Sequence, residues 1–173
     1  VKRLQNIENG LLTIASIPSM PQYQITMFIA QFQQFYPDTT VRITEDDSNN
    51  LLEYLLNGTC ELIFTREDKL AFEKNFMTNN QIIHIPYIKD RMVALMPTEH
   101  PLSCEESVTL QQLKNEHFCF IKEGSLMHDM CMEACQNAGF IPDIIFTSHR
   151  IDSILDMVTN QDCVALLMDK HME

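Results

Sequence analysis

The stretch from Leu11 to Thr65 constrains this chain more than any other, and its pivot is the loop Ser16-Ile17-Pro18-Ser19-Met20-Pro21. Ahead of the loop, Leu11-Leu12-Thr13-Ile14-Ala15 is an apolar run suited to a pleated, buried strand. Beyond it, Gln22 to Tyr36 carries Ile25, Phe28, Ile29, Phe32 and Phe35 at helical spacing, which predicts a helix with one apolar side. Pro37-Asp38 ends that helix, and Val41-Arg42-Ile43-Thr44 alternates as a second strand does. Strand, loop, helix and strand in this order build parallel sheets, since two parallel neighbours need a crossover between them.

A loop that leaves the carboxyl end of a parallel strand and enters a helix is where open α/β sheets hold ligands. Backbone N–H groups at the helix start point outward there, and the helix dipole favours negative charge. Ser16 and Ser19 add hydroxyls to those donors, so the loop suits a small ligand bearing a carboxylate or another anionic group. The plainer reading makes Ser19 an ordinary N-cap, with proline in the first turn.

A chain of 173 residues has room for one large core or two smaller subdomains. Its 12 basic against 24 acidic residues give a net charge of −12, which repels a phosphate backbone, so this stretch is not itself a nucleic-acid-binding surface. No apolar run reaches the roughly 20 residues a membrane helix needs, and no secretory leader is seen, so the expected setting is cytoplasmic, without membrane contact. The cysteines at 60, 104, 119, 131, 135 and 163 form no CxxC pair and read as reduced, mostly buried thiols.

Along the chain, residues 1–10 read as a linker remnant ending at Gly10. The polar cluster Asp46-Asp47-Ser48-Asn49-Asn50 caps a helix from Leu51 to Asn57 that Gly58 ends; as a hard-cation loop it lacks spaced oxygen ligands and a glycine turn. Cys60 to Thr65 is a third strand, and it brings Thr65 and Arg66 toward the edge that Ser16 occupies. A polar loop covers 68–80, and the strand-like runs 81–87 and 91–97 mark a crossover between subdomains. Thr109 caps a short helix, Phe118 to Ile121 is a strand, and Lys122-Glu123-Gly124-Ser125-Leu126 is a second strand-to-helix loop. A helix from about Met127 to Asn137, a strand from Pro142 to Thr147, a helix capped by Ser148 and an apolar run from Cys163 to Met168 complete the chain. The expected architecture is α/β, with two Rossmann-like lobes and an interlobe cleft. Lobe I spans 11–86 with a return segment 162–173, and lobe II spans 87–161.

The segments Leu12 to Ser16, Phe32 to Val41, Leu55 to Ile63, His100-Pro101-Leu102, Ala138 to Pro142 and Met157-Val158 leading to Val164 to Leu167 resemble the effector-binding domain of LysR-type transcriptional regulators. Each pattern is loose, but their order and spacing match over nearly the whole chain. The resemblance implies a fold like that of type 2 periplasmic binding proteins and a small-molecule inducer in the cleft. It also implies self-association as a homodimer or higher homo-oligomer, and contact with DNA only through an N-terminal winged helix-turn-helix domain outside this sequence. Carried over by position, the inducer contacts are Ser16, Ile17, Ser19, Thr65, Arg66, Gly124, Ser125 and His128. Ile17 stands where the family is often polar, which leaves an apolar or mixed ligand open beside a carboxylate or amino acid. Gln161-Asp162-Cys163 replaces the small-residue and glycine pair usual before the penultimate strand.

Other chemistry has less support. His128, Cys131 and Cys135 share a helix face and make a redox or soft-metal sensor an alternative, the plain reading being an amphipathic helix with its thiols packed inward. The peroxide-sensing branch of the family keeps a cysteine near Cys135, but Leu126 occupies the place of its reactive cysteine. No GxSxG, HExxH or phosphate-binding glycine loop occurs, so the expectation is a non-enzyme without cofactor. A free-standing solute-binding protein of the same fold is the alternative from another class. Met27, Ala30 and Tyr23 widen the apolar side of the 22–36 helix toward a partner surface, most simply a second copy.

Overall fold

A computed structural model describes residues 10–66 and 82–172, divided into a unit that ends at Lys89 and a unit that begins at Asp90. The linker reading of 1–9 and the loop reading of 68–80 lie outside the described residues.

In the first unit, β1 (Leu11–Ser16), α1 (Ile25–Phe35), β2 (Thr40–Glu45), α2 (Ser48–Leu56) and β3 (Leu62–Phe64) follow in order. The strands form a parallel sheet of order β2-β1-β3, with Leu11 opposite Thr40 and Ser16 opposite Phe64. Ile14 and Ala15 of β1 pack with Ile25 and Ile29 of α1 and Leu51 of α2 in one core. The helix starts at Ile25, three residues later than its apolar spacing suggests, and only Ile25 and Ile29 of the apolar side are buried. Phe28 and Phe35 are exposed, so the stripe is wider than the sheet beneath it can cover. Gly10 opens β1 at φ +64°, and a Cβ there would stand 2.9 Å from the Asp38 carbonyl oxygen, so the turn that accepts Thr40 N–H requires glycine. Asp47 caps α2 by accepting from Asn49 N–H, as the polar cluster predicts, and the helix begins at Ser48 rather than Leu51.

The second unit runs β4 (Met92–Leu95), a 3-10 turn (Leu110–Leu113), β5 (His117–Ile121), α3 (Leu126–Asn137), β6 (Asp143–Ser148), α4 (Ile151–Asn160), β7 (Val164–Met168) and a closing 3-10 turn (Asp169–Met172). Its sheet has the order β4-β7-β5-β6, in which β4 is antiparallel to β7 and the other pairs are parallel. One face packs Phe118, Phe120, Val164 and Leu166 against α3, and the other packs Cys119, Ala165 and Leu167 against α4. Every residue of β7 is buried, as a strand with neighbours on both edges and a helix on each face must be.

Three expectations are corrected here. The expected return segment belongs to the second unit: β7 pairs with both β4 and β5 and is an inner strand of the second sheet, where its continuous apolar run is buried. The run 82–87 is not a strand, and regular pairing begins only at Met92. Ser148 lies two residues ahead of the actual N-cap of α4, Arg150, and its hydroxyl accepts from Arg150 N–H. Among the described residues no helix is long and apolar enough to cross a membrane.

Candidate functional site

The order β2-β1-β3 makes the carboxyl ends of β1 and β3 the place where the connections part to opposite sides of the sheet, and open α/β sheets bind ligands at that switch point. The backbone ties the two ends together: Ile17 N–H donates to the Phe64 carbonyl at 3.1 Å, and Asp46 N–H donates to the Ser16 carbonyl at 3.0 Å. Ser16, Ile17, Thr65 and Arg66 are therefore gathered at one sheet edge, with Ser19 on the loop that leaves it. Five of the eight residues expected to contact an inducer belong to this group.

Their side chains are held rather than loose. Ser16 is fully buried and its hydroxyl donates to the Ile17 carbonyl at 3.2 Å. Thr65 is half-buried, and its hydroxyl donates to the Arg66 carbonyl at 3.1 Å. Ser19 is buried, but it is not the helix cap: the N-cap is Gln24, in a left-handed conformation at φ 57° and with no side-chain cap bond. Eight residues thus separate β1 from α1, with Gln24 N–H returned to Pro21 and Ile25 N–H to Met20. Amides that an anion would use at a short loop, those of Ile17, Gln24 and Ile25, are committed to the fold.

The cation of this edge is the half-buried Arg66. Its Nη2 donates to the Tyr23 hydroxyl at 2.9 Å, its guanidinium lies 5.7 Å from the centre of the same ring, and its backbone N–H donates to Ser48 Oγ. A planar guanidinium set over an aromatic ring keeps its orientation, and its fork of donors matches a carboxylate. Helical spacing puts Tyr23 on the apolar side of the 22–36 helix as part of a partner surface, and the structure places it differently. It is buried in the loop, and no local pattern announces a contact between residues 43 positions apart.

The second unit repeats the arrangement. In the order β4-β7-β5-β6 the connections diverge between β5 and β7, and the loop after β5 carries Gly124 and Ser125. Gly124 is exposed at φ +87°, with nothing within 4 Å of where a Cβ would stand. Ser125 caps α3 by accepting from His128 N–H at 3.1 Å and donates to the Lys122 carbonyl at 2.9 Å. His128 is buried, its ring edge-on to Phe120 at 6.1 Å, and among the described residues its Nε2 has no hydrogen-bond partner. A buried imidazole nitrogen left unpaired is costly and marks a place where a polar group can be recognised.

The same helix carries the thiols of the alternative sensor reading. His128, Cys131 and Cys135 do share the inward face of α3, but among the described residues no three His, Cys, Asp or Glu side chains gather as a metal site requires. Cys131 Sγ points to the Leu166 carbonyl at 3.5 Å, and burial pushes the Cys135 thiol up to about 11, which disfavours its thiolate.

Comparison with known proteins agrees with this architecture. The chain is 26% identical over 159 residues to the transcriptional dual regulator GltC of Bacillus subtilis, covering 91% of this chain and 50% of GltC. It superposes on the regulatory domain of CcmR from Synechocystis PCC6803, solved in complex with 2-PG, with a TM-score of 0.77 at 16% identity, covering 94% of this chain and 74% of that one. The effector-binding domain of QuiR in complex with shikimate gives 0.75 at 15% identity, with 93% and 74% covered. The chain spans about half the length of the curated relatives it matches. The family model described as the LysR substrate binding domain matches residues 5–173, and this chain belongs to that family.

Proposed function

We propose that this chain is the ligand-sensing part of a LysR-type transcriptional regulator and binds a small carboxylate or amino-acid-like metabolite through Ser16, Ile17, Ser19, Thr65, Arg66, Gly124, Ser125 and His128. The observation that carries the reading is the edge at β1 and β3, where a guanidinium braced by Tyr23 stands beside the Ser16 to Ser19 loop. Arg66 supplies the charge, the half-buried Thr65 and the buried Ser19 supply hydroxyls, and Ile17 supplies an apolar wall. With the amides of Ile17, Gln24 and Ile25 committed, the guanidinium and not the helix start is the principal anion-binding group. That shikimate is bound by a structural neighbour supports a carboxylate. In the whole protein, occupancy shifts the balance between two arrangements of a homodimer or higher oligomer and so changes DNA binding by the winged helix-turn-helix domain.

A thermal-shift panel of small carboxylates, shikimate and benzoate among them, and of amino acids tests this directly. At least one compound is expected to raise the melting temperature in a concentration-dependent way. Arg66→Ala is expected to weaken binding of that compound at least tenfold by calorimetry. A panel with no stabilising member at millimolar concentration, or binding indifferent to Arg66, would refute the carboxylate reading.

A further inference from the structure

We propose that Cys119 and Cys163 form an intramolecular disulfide when the chain is oxidised, a covalent site independent of the metabolite-binding residues. Cys119 lies on β5, and Cys163 immediately precedes β7. The parallel register sets Cys119 opposite Ala165, so Cys163, two positions before Ala165, faces the same side of the sheet as Cys119. Their sulfurs are 2.9 Å apart, a thiol-to-thiol hydrogen bond in which either can donate. Both side chains are sealed under α4, in a cluster with Ile154, Val158, Ala165 and Leu167. Two thiols already in contact on neighbouring parallel strands meet the first demand of a disulfide, and the bond needs their sulfurs to close from 2.9 Å to about 2.05 Å.

The remaining thiols stand elsewhere. Cys131 and Cys135 stand on one helix and pack into the opposite face of the sheet, Cys60 belongs to the first unit, and Cys104 is exposed. Oxidation by a hydroperoxide balances as follows. With hydrogen peroxide, one thiol loses its proton and the thiolate attacks an oxygen, the O–O bond breaks, and the departing hydroxide takes up that proton, leaving a sulfenic acid and water. The second thiol then attacks the sulfenic sulfur, forming the S–S bond and releasing a second water. Sulfur loses two electrons, and the peroxide gains them. Burial and the neighbouring thiol push Cys119 up to about 12, so the reaction waits on transient opening of α4 and is slow. The product ties β5 to β7 and closes a span of 44 positions that contains α3, β6 and α4, restricting the unfolded chain.

The test is peptide mapping of the intact chain, carrying Cys104→Ser to prevent intermolecular coupling, after hours in hydrogen peroxide at mildly alkaline pH and blocking with N-ethylmaleimide. Trypsin releases residues 115–122 and 151–170, each with a single cysteine. The expected product is these two peptides joined, at the sum of their masses less two hydrogens, and separated by dithiothreitol. The melting temperature of the oxidised chain is expected to rise by roughly 10 °C and to return on reduction. Recovery of both peptides in the maleimide-blocked form, or coupling of Cys119 to Cys60, Cys131 or Cys135 instead, would overturn the assignment.

Discussion

Ser125→Ala separates what the second loop does for the fold from what it does for a ligand. The Ser125 hydroxyl accepts from His128 N–H and donates to the Lys122 carbonyl, so alanine removes one partner from each. The cap is the larger loss, because an otherwise unpaired donor in the first turn of α3 loses its acceptor, at about 1 kcal/mol. The Lys122 carbonyl is solvent-exposed and water replaces its donor at little further cost. A loss of 1 kcal/mol makes opening about fivefold more frequent. Amide hydrogen exchange over 126–137 is the suitable assay, because it reads α3 alone rather than the two units together. Exchange there is expected to accelerate about fivefold in Ser125→Ala and by less than twofold in Ser125→Gly, since glycine is a tolerable cap. In Ser125→Asp it is expected to stay close to the parent, because the carboxylate accepts at the same place and suits the helix dipole. Equal exchange in all three variants would refute the capping argument. If aspartate preserves α3 while abolishing metabolite binding, the hydroxyl's part in recognition is distinct from its part in the helix.

Two further perturbations probe the first unit. Leu51→Ala empties a fully buried site between α2 and the sheet and is expected to cost about 2–5 kcal/mol in urea unfolding, whereas Leu56→Ala, at an exposed site on the same helix, costs less than about 1 kcal/mol. The Tyr54 hydroxyl, then the Asn50 side chain and the Asp47 amide, hold the Asp46 carboxyl below its usual range. Its pKa being depressed in the folded state, its contribution is in place above the unfolded value of about 3.9 and is lost as pH falls through the lower folded value. Asp46→Asn is therefore expected to flatten the fall in melting temperature between about pH 5 and 3, and an unchanged slope would count against the link to Tyr54.

Much of the architecture was legible along the chain because it rests on local pattern. The alternation of Val41 to Thr44, the helical spacing in 25–35 and the glycine after α3 are short-range signals, and each names an element whose limits move by only a few residues. The same holds for the loops after β1 and β5, since a strand that feeds a helix across a parallel sheet leaves its connecting loop at a foreseeable edge. The family likeness nominated the proposed contact residues, and the sheet order puts the loops after β1, β3 and β5 that carry them at the switch points.

Long-range pairing decided the rest. The apolar run 164–168 has the same composition whichever sheet it joins, and only pairing with β4 and β5 assigns it to the second unit. Tyr23 and Arg66 are joined across 43 positions, and Cys119 and Cys163 across 44, by the folding of strands between them. Periodicity reports which way a side chain faces its own element. Which distant side chain it then meets depends on strand order and register, and those are set by burying all the apolar faces at once.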